Sequence, residues 1–256
     1  MLTHTGLALW HVGQIDQARK ICREQYEHAL GLAPANMAMA HLGACSLIIY
    51  LRDTDALLKN AEAMLKFAEE QQLPSFLAWG TIYRGIAHVL QGDHDTGIAE
   101  IKLGLGDYLA SGTHSSLGQY LSLLAEAYAR AGDIDQALAT IQDAIGAAPE
   151  EQMHFPELHR VRADILLKQP NADLEVVENG YREAIDASRK YGSLTQELRA
   201  VTRLGRLLQS QGHAAEAQAL LAPLYASFTE GLDTYDLREA KTLLDELSVA
   251  ESQEEI

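Results

Sequence analysis

Three arginines near the C-terminal end of the sequence have the type and the spacing of an anion-binding stripe. Arg199, Arg203 and Arg206 are spaced i, i+4 and i+7, so they share one face if the segment is helical. Guanidinium groups hold carboxylates through paired hydrogen bonds. Residues 155–206 contain nine Lys or Arg against eight Asp or Glu, whereas the rest of the chain contains eleven against twenty-eight. The stripe therefore predicts a site for a carboxylate or an acidic peptide.

The same stripe also has a structural interpretation. Arginines on helices are usually solvated or paired with nearby acids, and exposed ion pairs contribute little. Glu157, Asp164 and Asp186 could neutralise the stripe across adjacent helices. The sequence leaves both interpretations open.

An aromatic pair is a second candidate contact site. Trp79 and Tyr83 are i, i+4 neighbours, and aromatic residues dominate the hot spots of protein interfaces. The alternative is core packing, because large aromatic rings bury much apolar surface and usually lie inside.

The ten histidines do not form a recognisable metal site. The sequence contains no HExxH and no His-x3-His, and His154 and His159 are five residues apart. Zinc needs a compact set of imidazole, thiolate or carboxylate ligands. Cys22 and Cys45 are expected to be inert core thiols, and no Ser/His/Asp or Cys/His set suggests nucleophilic catalysis. We therefore expect no metal, no cofactor and no enzymatic activity.

Composition narrows the class of protein and of partner. The 256 residues are 47% hydrophobic but only 6% aromatic, which favours close-packed helices over sheets. The net charge of −16 argues against a nucleic acid or an anionic membrane as partner. Two cysteines provide no disulfide framework, so a cytoplasmic location is expected. His28–Leu51 lacks Asp, Glu, Lys and Arg and is predicted to be a buried helix rather than a membrane span.

An internal repeat predicts the helices that carry these candidate residues. Similar turn segments begin at Gly13, Gly92, Gly132 and Gly212, with degenerate copies at Arg52 and Gln169. The glycine spacings of 79, 40 and 80 indicate a period near 40 with one glycine missing from each long gap. In each copy the glycine ends one helix in a left-handed conformation, and the polar residue that follows caps the next helix.

The fourth unit matches the tetratricopeptide repeat (TPR) pattern most clearly. Its large, small, glycine and proline positions are Leu121, Leu124, Ala125, Tyr128, Gly132, Ala137, Ile141, Ala144 and Pro149. A single hairpin cannot bury its apolar face alone, so the units must stack into a solenoid. The period near 40 is also that of HEAT and armadillo repeats, but the spacing from glycine to alanine favours TPR.

We therefore predict an all-α, right-handed superhelical solenoid of about six TPR-like hairpins that forms one domain over residues 1–248. The units are predicted at 4–33, 36–74, 76–112, 116–152, 155–193 and 195–231, followed by a capping helix at 234–248 and a disordered tail at 249–256. In the third unit, Gly97, Gly104 and Gly106 weaken a helix interior, which predicts either a kink or tight packing.

The first helix of each TPR hairpin lines the concave face of the array. The register assigns these candidate partner-binding residues to that face: Trp79, Tyr83, Gln119, Ser122, Glu126, Arg130, His159, Arg162, Arg199, Arg203 and Arg206. The open ends of a solenoid expose apolar faces, so a homodimer through the N-terminal hairpin is a further expectation.

Several stretches of the chain resemble one family of signalling proteins. The matching stretches are Ala78–Thr81, Leu123–Tyr128, Glu157–Arg160, Glu197–Ala200 and the closing run Leu220–Leu247. They are similar to the C-terminal TPR region of large bacterial proteins that join a class III adenylate or guanylate cyclase domain to a predicted ATPase module. The resemblance implies a fragment or remnant of such a protein. No GxxxxGK[ST] loop occurs here, so ATPase or cyclase activity is not expected of these residues.

The sequence thus predicts a non-catalytic scaffold that binds a protein or peptide and regulates linked ATPase or cyclase domains. The expected partner is acidic, or is a sister domain of a parent protein. The alternative is a small-molecule sensor domain of a transcription or signalling regulator.

Overall fold

The computed structural model describes residues 2–112, 114, 116–147 and 153–254, with side chains described from 5 to 249 within those ranges. Every regular element in this part of the chain is an α-helix. The helices are α1 (Leu2–His11), α2 (Ile15–Ala29), α3 (Pro34–Leu51), α4 (Thr54–Glu70), α5 (Pro74–Leu90), α6 (His94–Ala110), α7 (Leu117–Ala131), α8 (Ile134–Ala147), α9 (Phe155–Leu167), α10 (Leu174–Tyr191), α11 (Leu194–Ser210), α12 (Ala214–Ala226) and α13 (Tyr235–Glu254). Successive pairs from α1/α2 to α11/α12 form stacked hairpins, and α13 packs on α11 and α12.

The turns of the hairpins follow the repeat. The four predicted glycines all have positive φ: Gly13 at 83°, Gly92 at 95°, Gly132 at 86° and Gly212 at 82°. Arg52 takes the place of the missing glycine in the second unit and is itself left-handed, with φ of 56°. The predicted all-α solenoid of TPR type is therefore confirmed.

Aspartates cap the second helix of four hairpins, as the repeat predicts, but Gln14 before α2 and His213 before α12 make no side-chain cap hydrogen bond, so the prediction is wrong for those two hairpins. Asp53, Asp93 and Asp133 each accept a hydrogen bond from the backbone N–H three residues later, at 3.0, 3.3 and 3.1 Å. In the fifth unit Asp173 accepts from two backbone N–H groups of α10. Such caps satisfy backbone donors that the helix itself leaves unpaired.

Two of the three glycines of α6, Gly97 and Gly104, lie where α6 packs closely against α5. Helix α6 is continuous, and a Cβ at Gly97 would come within 2.5 Å of the Gly85 carbonyl oxygen on α5. A Cβ at Gly104 would come within 2.7 Å of the Ala78 carbonyl oxygen. Of the two expected outcomes, tight packing is the one observed, because these glycines let the backbones of α5 and α6 approach.

Helix α3 is apolar enough to cross a membrane by length and composition, with a mean hydropathy of 1.3. In this fold it packs among α1, α2, α4 and α5. It also carries the buried polar residue His41, whose Nδ1 lies 2.9 Å from Asn60 Oδ1 on α4. The stretch predicted as one buried helix, 28–51, is therefore the end of α2, a turn and the partly buried helix α3.

The two ends of the array meet. Trp10 on α1 is 1% exposed and belongs to the same hydrophobic cluster as Leu198, Leu204 and Leu237 on α11 and α13. Nδ1 of His11 lies 2.8 Å from the Ser193 hydroxyl. The expectation of open ends is therefore wrong: the superhelix closes on itself, because the apolar face of the first hairpin is covered by the last helices.

The predicted domain and unit boundaries remain predictions. The end of the predicted fourth unit, 148–152, lies outside the described residues. Helix α13 continues through Glu254, past the predicted beginning of the tail at 249, and 255–256 are not described. Once a helix has formed, each further residue adds a backbone hydrogen bond at a small entropic cost. A helix can therefore continue beyond the last residue of its apolar face.

Candidate partner-binding groove

Two neighbouring cavities gather seven of the eleven candidate residues. The first, called the inner cavity, has a volume of about 300 Å³, and the second, the outer groove, about 550 Å³. The inner cavity is lined by candidates Gln119, Ser122, Glu126, Arg130, Arg199 and Arg203. The outer groove shares Glu126, Arg130 and Arg203 with it and adds Arg206. The structure therefore brings these seven residues to two adjoining cavities, whereas the other four candidates lie elsewhere.

Arg199 is a structural residue of this site. Its side chain is 5% exposed, and its Nε donates to Asp236 at 2.7 Å while Nη1 lies 3.3 Å from Glu157. Nη2 donates to the backbone carbonyl of Tyr50. The guanidinium carbon also lies 5.0 Å from the ring centroid of Trp10. Arg199 is thus buried, and each of its three nitrogens already has an acceptor within the protein.

Arg160, which the sequence reasoning did not select, is the most buried charge of the site. It is 2% exposed, and its Nη2 donates to Glu157 at 2.7 Å and to Glu126 at 2.8 Å. Nη1 pairs with Asp164. Burial alone raises the pKa of Glu157, but the Arg160 and Arg199 guanidiniums outweigh it and hold that pKa well below its usual range. Glu157 lies three residues before Arg160 and Asp164 four residues after it. This helical spacing was the signal in the sequence that could have indicated the cluster.

The other two arginines of the stripe are paired mainly with helix α13. Arg203 donates to Glu239 at 2.9 Å and lies 3.7 Å from Asp164, and Arg206 pairs with Glu246. Of the acids named from sequence, Glu157 and Asp164 do contact the stripe. The exposed Asp186 forms no ion pair with it among the described residues. Carboxylates of α13 were missed because their proximity depends on how that helix packs.

Two cations of the outer groove differ from the rest. Arg130, at the end of α7, and Lys168, just after α9, are both exposed and line the groove. Neither forms an ion pair within the part of the chain that the structure describes. Neighbouring acids pair with Arg160, Arg203 and Arg206 of the same groove region, so Arg130 and Lys168 are the groove cations without an ion pair among the described residues.

The outer groove also has apolar walls. Val161, Ile165 and Leu207 line it from α9 and α11, and Leu167 and Leu174 remain 40% and 38% exposed. Such a surface accepts aliphatic side chains, since burying one fully stabilises a complex by about 1.5–3 kcal/mol before the costs of association. The groove therefore combines apolar contact with unneutralised positive charge.

Polar candidates on α7 are engaged with neighbouring residues. The Ser122 hydroxyl donates to the Gln119 backbone carbonyl at 2.8 Å. The Gln119 amide donates to the Tyr50 hydroxyl at 3.0 Å. Tyr50 in turn lies 3.1 Å from Nδ1 of His154. These contacts tie α7 to α3 across the inner cavity.

Trp79 and Tyr83 lie away from both cavities. Tyr83 is 1% exposed, its ring packs edge-on against Tyr120, and its hydroxyl lies 2.9 Å from that of Ser46. Trp79 is half-buried and packs against Phe76. This placement agrees with the core-packing interpretation of the pair.

His159 and Arg162 lie on a different face of α9. Both line a small pocket of about 120 Å³ against α10, where His159 Nδ1 lies 2.9 Å from Glu183 Oε2. The structure therefore does not bring these two candidates to the groove.

The thiols of Cys22 and Cys45 are poorly suited to nucleophilic catalysis or metal binding, which both need a thiolate. Burial raises the pKa of Cys22 to about 11 and that of Cys45 to about 12, so both are protonated at neutral pH. Cys45 also accepts a hydrogen bond from the Asn60 amide. Among the described residues, no cluster of three or more His, Cys, Asp or Glu side chains could hold a metal ion.

A tetratricopeptide repeat family, TPR_4, matches residues 118–143, which form most of the α7/α8 hairpin. No curated protein sequence matches the chain. The sequence similarity to a named family is thus confined to the fourth unit, the one whose pattern is clearest.

Solved structures of other proteins are similar over nearly the whole chain. The apo form of RapI has a TM-score of 0.59 at 11% identity, covering 98% of this chain and 71% of that one. The apo form of the quorum sensor NprR from B. thuringiensis has a TM-score of 0.57 at 18% identity, covering 98% and 76%. Acl4, an assembly chaperone of RpL4, has a TM-score of 0.50 at 18% identity, covering 99% and 96%. These likenesses show the fold: the chain contains a TPR-type region within an all-α solenoid, an architecture typical of protein-interaction scaffolds.

Proposed function

We propose that this protein is a scaffold that binds an acidic protein segment in its outer groove. The observation that carries the proposal is the pair Arg130 and Lys168, two exposed cations with no ion pair among the described residues. The chain has a net charge of −16, yet both of these exposed cations line one groove. Their position above an apolar floor selects a ligand with both carboxylates and aliphatic side chains.

The dimensions of the groove favour a short stretch of a larger partner. A volume of about 550 Å³ accommodates only a few side chains. A segment with Glu or Asp beside Leu, Ile or Val would place carboxylates at Arg130 and Lys168 and an aliphatic group against Leu167 and Leu174. Charge-assisted hydrogen bonds of this kind contribute roughly 1.5–3 kcal/mol each.

Proteins of similar fold are named for roles that involve binding, which supports the general class of function proposed here. NprR is named as a quorum sensor and Acl4 as an assembly chaperone of another protein. A scaffold is thus consistent with what this architecture does elsewhere, although fold alone does not specify a partner. No feature of the described residues favours a small-molecule sensor over a protein-binding scaffold.

The test is a binding titration with a defined probe. A fluorescein-labelled peptide of alternating Glu and Leu is titrated with the protein, and fluorescence anisotropy is measured against salt concentration. Wild type is compared with Arg130→Glu/Lys168→Glu. We expect the variant to bind at least about tenfold more weakly, since losing one charge-assisted contact already amounts to about 1.4 kcal/mol or more.

The matched control is Lys59→Glu/Lys102→Glu, which makes the same change in net charge at exposed lysines outside the groove. This control should bind almost as wild type does at physiological salt, because distant charges are screened. Equal loss in both double variants would show non-specific attraction. Binding that survives in the groove variant would overturn the proposed site.

The resemblance to cyclase- and ATPase-linked TPR regions suggests where the partner segment comes from. We infer that it belongs to a sister domain of a larger cytoplasmic signalling protein. Cross-linking of this chain to such domains, supplied separately, tests the point. Cross-links at α7 and α9 would support it, whereas cross-links confined to other faces would contradict it.

A further inference from the structure

We infer that the inner cavity receives one aromatic side chain of the acidic segment that the outer groove is proposed to bind. This inference rests on the proposed function and adds to it the chemical class of an anchor residue. The two cavities adjoin, since they share the lining residues Glu126, Arg130, Val161, Asp164 and Arg203. A segment that lies in the outer groove therefore lies directly beside the inner cavity.

The size of the inner cavity fits an aromatic ring. Its volume is about 300 Å³, whereas an apolar cavity of about 150 Å³ in another protein is already large enough to bind benzene. A leucine or valine side chain would leave part of the space empty, and the atoms around an empty space lose packing contacts. A phenyl, phenol or indole group fills more of the space.

The inner cavity has an apolar wall against which a ring can pack. Helices α3, α5 and α7 contribute four aliphatic side chains to it: Ile49, Ile86, Leu90 and Leu123. Three of them, Ile49, Leu90 and Leu123, are only partly buried and pack against the hydrophobic cluster beneath them. A ring placed on this wall would remove further apolar surface from water, which favours binding.

Several polar side chains of the inner cavity are already hydrogen-bonded to one another. The Gln119 amide donates to the Tyr50 hydroxyl at 3.0 Å, and that hydroxyl lies 3.1 Å from Nδ1 of His154. Arg160 is paired with acids of α7 and α9. Binding is opposed where a polar group loses water and gains no partner. For these groups, contact with an uncharged ring carries no such penalty.

Guanidinium groups around the inner cavity favour a ring over an aliphatic chain. Two tyrosine rings that line the cavity already contact arginines. Cζ of Arg52 lies 4.9 Å from the ring centroid of Tyr235, and Cζ of Arg199 lies 5.6 Å from that of Tyr50. Arg203 lines both the cavity and the groove. Because guanidinium groups stack on aromatic faces, a ring entering beside Arg203 can form a third contact of this kind.

The position of Arg130 relates the ring to a carboxylate of the same segment. Leu123 precedes Arg130 by seven residues on α7, which corresponds to about 10 Å along the helix. In an extended segment, residues two positions apart are separated by about 7 Å, and their side chains point to the same side. With a carboxylate at Arg130, an aromatic side chain two positions away can reach Leu123. We therefore expect the acid and the aromatic residue to be two positions apart.

A peptide series tests the anchor. The fluorescein-labelled peptide of alternating Glu and Leu is made in four versions, in which one central Glu is replaced by Ala, Leu, Phe or Trp. All four have the same net charge, and the replaced position lies two residues from a Glu on either side. Dissociation constants are measured by fluorescence anisotropy. We expect the Phe peptide to bind at least about tenfold more tightly than the Ala peptide, with the Leu peptide between them.

Variants of Leu123 test whether this preference arises in the inner cavity. Leu123→Trp places a large side chain in the cavity and should bring the affinity of the Phe peptide close to that of the Ala peptide. Leu123→Ala enlarges the cavity and should favour the Trp peptide over the Phe peptide, relative to wild type. This second comparison decides the point if Leu123→Trp does not fold. The matched control is Leu103→Trp, since Leu103 is 62% exposed on α6 and lines neither cavity; it should retain the wild-type order of affinities.

The results distinguish failure of the anchor from failure of the proposed function. Equal binding of all four peptides, with the weakening by Arg130→Glu/Lys168→Glu retained, would overturn the anchor and leave the acidic groove in place. A Phe preference that responds to neither Leu123 variant would place the ring elsewhere and would also overturn this inference. If no peptide binds, or if binding does not depend on Arg130 and Lys168, the proposed function is wrong and the anchor with it.

Discussion

The guanidinium of Arg199 donates a hydrogen bond to the backbone carbonyl of Tyr50, which joins helix α11 to the C-terminal turn of helix α3. The carbonyls at the end of a helix lack intrahelical donors and carry partial negative charge, so a cation there is favourable. This contact links residues 149 positions apart in sequence. Arg199, which the sequence predicted to contact a ligand, instead stabilises the contact between the two ends of the array.

Substituting Arg199 by alanine should destabilise the protein far more than substituting Arg206, another arginine of the same stripe. Arg199→Ala leaves Glu157 and Asp236 without one of their cations in a buried setting, which we expect to cost about 3–5 kcal/mol. Arg206→Ala breaks a more exposed pair with Glu246 and should cost about 1 kcal/mol or less. Urea unfolding of both variants measures the difference. Equal effects would contradict the structural role of Arg199.

Stability should fall as the pH is lowered from about 6.5 to about 4 because of His11. Burial, followed by the positive charges of His154 and Arg199, lowers the His11 pKa to about 4, although Glu157 acts in the opposite direction. In the unfolded chain His11 is therefore protonated below a pH of about 6.5, whereas in the folded protein it stays neutral until the pH reaches about 4. Between these two pH values, protonation stabilises the unfolded chain only. The loss amounts to about 3 kcal/mol at most.

The matched variant for this pH effect is His11→Asn, which retains a polar side chain near Ser193 but does not titrate in this range. Free energies of unfolding are measured from pH 7.5 to 4.5 for both proteins. The wild type should lose stability more steeply than the variant. Parallel curves would show that His11 is not buried as a neutral group.

Two glycines of α6 should respond oppositely to the same substitution. Gly104→Ala would bring a Cβ within 2.7 Å of the Ala78 carbonyl oxygen, whereas a Cβ at Gly106 meets nothing within 4 Å. We expect Gly104→Ala to destabilise by about 1–3 kcal/mol through overpacking. Gly106→Ala should stabilise by up to about 1 kcal/mol through helix propensity. Thermal unfolding of the two variants distinguishes close helix contact from a simple propensity effect.

The left-handed turn at Gly132 predicts a backbone effect. Its φ is 86°, and a Cβ there has open space around it. Gly132→Val should therefore cost about 1–3 kcal/mol through strain alone. Gly146→Val is the comparison, since Gly146 lies in α8 without positive φ and also has open space. A smaller loss at 132 than at 146 would contradict the repeat register.

The protein should be a monomer in its closed state. The homodimer expected from the sequence required an uncovered N-terminal hairpin, but Trp10 is 1% exposed beneath α11. Light scattering across a range of concentrations checks the point. A dimer that persists at low concentration and survives Trp10→Ala would require a different interface.

The repeat itself could be predicted in detail because its physics is local. A glycine that ends a helix, an aspartate that caps the next and a small residue at the helix crossing act within a few residues of one another. Even the degenerate copy at Arg52 adopts the left-handed turn. The candidate residues on α7 and α11 were likewise placed on one face by helical periodicity alone.

The sequence by itself predicted the all-α class, the left-handed hairpin turns and the aspartate caps, and helical spacing put the candidates of α7 and of α11 on one face of each helix. Only the tertiary structure decided that the superhelix closes, that α13 supplies carboxylates to the arginine stripe, and that Arg130 and Lys168 line the outer groove without an ion pair among the described residues. The reason is physical: turns and caps depend on neighbours in the chain, whereas charge neutralisation and closure depend on small rotations per hairpin that accumulate over the whole array.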